Sequence, residues 1–68
     1  MDVTVNGKPI RIFSASTAGD AILMYSESSF RRVMSGDLVI CDRYGNEIDP
    51  GGSISSETQL FIKKNEKK

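Results

Sequence analysis

Residues 17–36, TAGDAILMYSESSFRRVMSG, hold the helical periodicity of this protein, and their reading decides what the flanking segments can pack against. Ala18, Ala21, Ile22 and Tyr25 fall at i, i+3, i+4 and i+7, so they share one face of a helix. Thr17 with Asp20 three residues later has the form of a capping box, with the acid in the positive first turn. The helix is therefore expected to start at Ser16 or Thr17. Gly19 within that first turn costs about 1 kcal/mol relative to alanine, but would permit close packing. The pattern weakens at Ser26-Glu27-Ser28-Ser29. It resumes with Phe30, Val33 and Met34, and Gly36 suits the position just past a helix end. The spacing predicts one main helix and then a short helix capped by Ser28 or Ser29. A single bent helix is the competing arrangement.

Working outward, the segment before the helix reads as a hairpin. Met1, Val3 and Val5 alternate with Asp2, Thr4 and Asn6, as in a half-buried strand. Asn6-Gly7 signals a type I′ turn, which needs positive φ at both central residues; a type I turn with a bulge is the variant. The second strand is expected from about Pro9 to Phe13, with Ile10 and Ile12 inward and Arg11 outward. Pro9 donates no hydrogen bond, so it is expected at the strand start or on an edge, and a second strand at the sheet edge fits both.

After the helices, Leu38 to Asp42 is a compact apolar strand, Arg43 to Asn46 a turn, and Glu47-Ile48 a very short strand. Asp49-Pro50-Gly51-Gly52 is a second turn cluster. Residues 53–58 are expected to form an irregular loop that pins Ile54 into the core. Gln59 to Lys63 is the last strand, with Leu60 and Ile62 on one face and Phe61 on the other. Residues 1–64 then make a single domain and residues 65–68 a flexible basic tail.

Sixty-eight residues leave room for one domain, and nine basic residues balance nine acidic ones, so no global field recruits nucleic acid or an acidic membrane. Cys41 is the single cysteine and histidine is absent. This excludes an internal disulfide framework and removes the commonest general base and metal ligand. No apolar run reaches membrane-spanning length, and the N-terminus lacks the layout of a signal peptide. The expectation is a small soluble cytoplasmic monomer that is not an enzyme and carries no cofactor or metal.

The order hairpin, helix, strand, short strand, strand resembles the β-grasp or ubiquitin-like arrangement. The resemblance is carried by MDVTVNGKPIRI, TAGDAILMYS and LVICDRYGNEIDPGGSISSETQLFIKK, whose end looks like that of ubiquitin-like and sulfur-carrier domains. It implies an α+β fold with a mixed four- to five-stranded sheet, the last strand lying centrally beside the first. Ubiquitin and the thiamine and molybdopterin sulfur carriers end in Gly-Gly, whereas the sequence here ends Lys63-Lys64-Asn65-Glu66-Lys67-Lys68. Its diglycine, Gly51-Gly52, falls inside the fold, where a turn explains it. A looser likeness links the protein to TGS-type domains.

Candidate sites are few. Cys41 in an apolar strand reads as a small buried hydrophobe. Asp42, Glu47 and Asp49 lack the alternating ligand series of a calcium loop, and turn chemistry accounts for them. Arg31, Arg32, Arg43 and the C-terminal lysines could form a basic patch with Tyr44 or Phe61 as a stacking platform, although overall neutrality argues against nucleic acid. The numerous serines have no base to activate them and fit caps and turns. Thr4, Arg11, Phe13 and Phe61 are expected on the uncovered outer face of the sheet, where an apolar residue is left partly exposed. Their placement predicts a non-catalytic protein-interaction or adaptor module. The alternatives are a diverged sulfur-carrier-like protein and a TGS-like module associated with nucleic acid.

Overall fold

The computed structural model describes residues 1–67. Among these, two α-helices pack on one face of a mixed, open five-stranded sheet, giving an α+β architecture. The strands are β1 (Asp2–Val5), β2 (Lys8–Arg11), β3 (Leu38–Cys41), β4 (Glu47–Ile48) and β5 (Gln59–Lys64); the helices are α1 (Ala18–Tyr25) and α2 (Glu27–Met34). Spatial order is β2-β1-β5-β3-β4. β1 and β5 run parallel at the centre, and the other neighbours are antiparallel.

The hairpin closes through a two-residue turn with φ of 52° at Asn6 and 82° at Gly7, the type I′ signature. Its ladder continues past β2, since Ile12 N–H donates to the Met1 carbonyl at 2.9 Å. Regular strand pairing nevertheless stops at Arg11, two residues before the expected end. Phe13 lies beyond the strand, where its carbonyl accepts from Ser16 Oγ at 2.7 Å in a tight turn.

α1 begins with a complete capping box. Asp20 N–H donates to Thr17 Oγ1 at 3.2 Å, and Thr17 N–H donates to Asp20 Oδ2 at 2.9 Å. Two further first-turn donors are met by a remote loop: Ala18 N–H reaches the Gly52 carbonyl at 3.0 Å and Gly19 N–H the Pro50 carbonyl at 2.8 Å. A Cβ at Gly19 would stand 3.0 Å from the Pro50 oxygen. The glycine is thus what lets loop and helix meet.

The helical stretch divides at Ser26 into two helices of eight residues each. Ser26 has extended φ and ψ of −164° and 119°, its N–H closes α1 on the Ile22 carbonyl, and its Oγ accepts from Ser29 N–H to open α2. One bent helix is therefore ruled out. The second helix also starts earlier than expected, because Ser26 is its cap and Ser28 and Ser29 lie inside it. Gly36, at φ 91°, closes α2 with both bonds of a Schellman motif: Gly36 N–H to the Val33 carbonyl and Asp37 N–H to that of Arg32.

The core between helices and sheet holds Val3, Val5, Ile10, Ile12, Ala18, Ala21, Ile22, Val33, Ile40 and Leu60. Ile54 packs against it from its loop, as expected. Met34 does not join: it is 61 % exposed, since the stripe of α2 narrows to Phe30 and Val33. β5 extends to Lys64, and Asn65 is tied down rather than frayed. Its N–H donates to the Asp37 carbonyl at 3.0 Å and its Nδ2 to the Gly36 carbonyl at 2.9 Å. The expected tail thus loses its first residue to the fold, and its last, Lys68, lies outside the described residues.

Candidate interaction surface

Alternation along the strands gives the sheet's outer face. In β1, Val3 and Val5 point into the core, so Asp2 and Thr4 point away from it. Pairing carries that side across the sheet, to Pro9 and Arg11 on β2, Gln59 and Phe61 on β5, and Cys41 on β3. Arg11 spans the hairpin, with Nε 3.1 Å from Asp2 Oδ1, an exposed pair worth little to stability. Phe61 is 37 % exposed beside its cross-strand partner Cys41, which is buried. Cys41 therefore packs as a small apolar group on the outer face, apart from the main core.

Of the four expected surface residues, Thr4, Arg11 and Phe61 lie on this face. Phe13 does not. Because β2 has ended, its ring is released from the sheet and stands 89 % exposed beside α1. There it lines a groove of about 310 Å³ with Arg11, Ile12, Ser16, Asp20, Leu23 and Met24. Leu23 and Met24 are 44 % and 64 % exposed. They are absent from the surface expected on sequence grounds although a signal existed: both are apolar and both fall off the Ala18/Ala21/Ile22/Tyr25 stripe. Large apolar side chains gathered on one rim, rather than scattered, mark a surface suited to a partner.

The groove lies along β2, whose far side faces no other strand among the described residues. Val3–Ile10 and Val5–Lys8 alternate with Asp2–Arg11 and Thr4–Pro9 in the antiparallel register. The Met1–Ile12 exchange of N–H and carbonyl bonds sets the phase, so the backbone of Arg11 points outward. Pro9 has no N–H to offer on that edge. The edge is short and proline-blunted, with a single internal residue able to both donate and accept.

The acidic turn residues have other employment. Asp42 accepts from Tyr44 N–H at 2.8 Å and Asn46 N–H at 2.9 Å. Hydrogen bonding to its carboxylate, from Asn46 above all, lowers its pKa below the ordinary value. Asp49 Oδ2 accepts from Gly51 N–H at 2.8 Å. Among the described residues no set of three His, Cys, Asp or Glu side chains gathers as a metal site. The arginines are similarly occupied: Arg31 Nη2 lies 2.6 Å from Glu27 Oε1, and the Arg43 guanidinium sits 4.8 Å from the Tyr44 ring centroid. Arg32 and Lys64 flank a groove that also holds Asp37, so the positive side chains there are not unopposed.

Among the described residues no helix is long and apolar enough to cross a membrane. The protein matches no protein-family model, no curated protein and no solved structure.

Proposed function

We propose that this protein is a non-catalytic protein-interaction module of β-grasp type, docking a partner polypeptide in the groove between the β2 edge and α1. Support for the fold assignment comes from the order β2-β1-β5-β3-β4, with the central parallel pair, which is the arrangement implied by the ubiquitin-like resemblance. Support for the docking role comes above all from one observation. Phe13, Leu23 and Met24 gather their exposed apolar surface at the same edge where the Arg11 backbone points outward. Backbone pairing at an edge supplies affinity, and neighbouring apolar pockets supply selectivity.

This moves the proposed contact from the outer sheet face to the hairpin edge. It also separates Phe13 from Phe61, which become opposite controls. A sulfur-carrier role has less support, because Gly52 lies at an internal position and its carbonyl is engaged by Ala18 N–H.

The test is recovery of the protein, tagged at its C-terminus, from its native cell, beside Phe13→Glu, Met24→Glu and Phe61→Glu variants. Phe13→Glu and Met24→Glu should lose the stoichiometric partner while unfolding at an unchanged temperature, since both side chains are already exposed. Loss with Phe61→Glu alone would move the contact back to the outer face. Retention by all three variants would refute an interaction surface at either place, and an adenylating enzyme as the partner would favour the carrier-like alternative.

A further inference from the structure

Asn6 does more than shape the hairpin turn. β1 pairs with β5 through Thr4–Gln59 and Val5–Leu60, and Asn6 extends this short parallel seam at its end. Its backbone N–H donates to the Leu60 carbonyl at 2.9 Å, and its Oδ1 accepts from Ile62 N–H at 3.0 Å. The carboxamide therefore stands where a backbone carbonyl would continue the ladder had the backbone not turned into the left-handed region. Direction matters here. β5 and β2 lie on opposite sides of β1, so the carboxamide reaches toward β5 while the backbone itself proceeds through Gly7 into β2.

Asparagine before glycine has an intrinsic reaction. The deprotonated Gly7 nitrogen attacks Asn6 Cγ, a C–N bond forms, and the bond from Cγ to the carboxamide nitrogen breaks with release of ammonia. Water then opens the succinimide at either carbonyl, leaving aspartate or isoaspartate, and no oxidant or reductant is required. Asn6 is exposed to that water, and it is the one asparagine of three followed by glycine; Asn46 and Asn65 precede Glu47 and Glu66. Ring closure requires Cγ to swing over the Gly7 nitrogen. Oδ1 must then leave Ile62 and the turn must leave its native φ values.

We propose that Asn6 is a spontaneous deamidation site latched by Ile62 N–H, so that modification proceeds through opening of the β1–β5 seam. The isoaspartate product places an extra carbon in the backbone, which a two-residue turn in fixed register cannot absorb. The hairpin then does not close as before, and the modification is one-way. Asparagine is among the residues that limit the chemical lifetime of proteins, and local opening sets the rate at which a folded one is reached.

The experiment follows the tryptic peptide of residues 1–11 by mass, after incubation at mildly alkaline pH with and without concentrated urea. Lys8 precedes Pro9, so Arg11 is the first efficient cleavage point. The folded protein should gain the amide-to-acid mass at least about tenfold more slowly than the unfolded protein, equivalent to an opening cost of about 1.4 kcal/mol. Asn6→Asp, already an acid, should show no gain in that peptide. Equal rates in the two conditions, or earlier conversion at Asn46 or Asn65 read in their own tryptic peptides, would overturn the proposal.

Discussion

α1 and α2 have the same length and meet at one serine, yet they are held in place by different physics. α1 buries Ala18, Gly19, Ala21 and Ile22, whereas α2 buries Val33. α1 has no basic residue in its last turn and draws two of its N-terminal hydrogen bonds from the remote loop around Pro50 and Gly52. α2 is built from neighbours: a Ser26 cap, a Glu27–Arg31 pair one turn apart, and a glycine-closed C-terminus. The first helix is a tertiary object and the second largely a local one. A helix that supplies core volume is fixed mainly by what packs on it, and one with a single buried residue depends more on its own ends.

The largest effect expected from this contrast is at Ile22, which is fully buried. Ile22→Ala should cost about 2–5 kcal/mol in urea unfolding, well above the cost of Val33→Ala. Equal losses would erase the distinction between the helices. Next comes Gly19→Ala. Alanine in a helix normally gains about 1 kcal/mol over glycine. Here the new Cβ meets a backbone oxygen at 3.0 Å that lacks the freedom of a flexible side group to swing aside, so a net loss of about 1–2 kcal/mol is expected. A stabilised variant would show that the loop around Pro50 yields easily. Ser26→Ala removes the α2 cap and should cost about 1 kcal/mol. Its loss should appear in amide exchange of α2 rather than of α1. The smallest effect is Arg31→Ala, at most about 0.5 kcal/mol and fading with added salt, because the pair with Glu27 is exposed. A larger, salt-insensitive loss would mean that α2 leans on packing after all.

Much of this was legible in residue order, and where it was not, the reason is local. Asn6-Gly7, Thr17/Asp20 and Gly36 each did what short-range stereochemistry demands, because their partners lie within a few residues. Ser26 was missed because a run of polar residues weakens an apolar stripe without announcing where the backbone turns. The cap became visible through its extended φ and ψ. The surface was half legible. Thr4, Arg11 and Phe61 followed from alternation, while Phe13 was misplaced because alternation was carried two residues beyond the real strand. Leu23 and Met24 could have been found as the apolar residues left off the α1 face.

The residues by themselves determined the order of the elements, the hairpin turn, the α1 cap and most of the buried faces, since period, capping and φ preference act over a few positions. Tertiary structure alone decided that Gly19 faces the Pro50 carbonyl, that Asn6 joins the ladder of β5, and that Phe13 sits beside Leu23 and Met24 rather than Phe61. Those relations join segments far apart in sequence. They depend on which surfaces meet once the core has closed, and no periodicity within a segment encodes its distant neighbour.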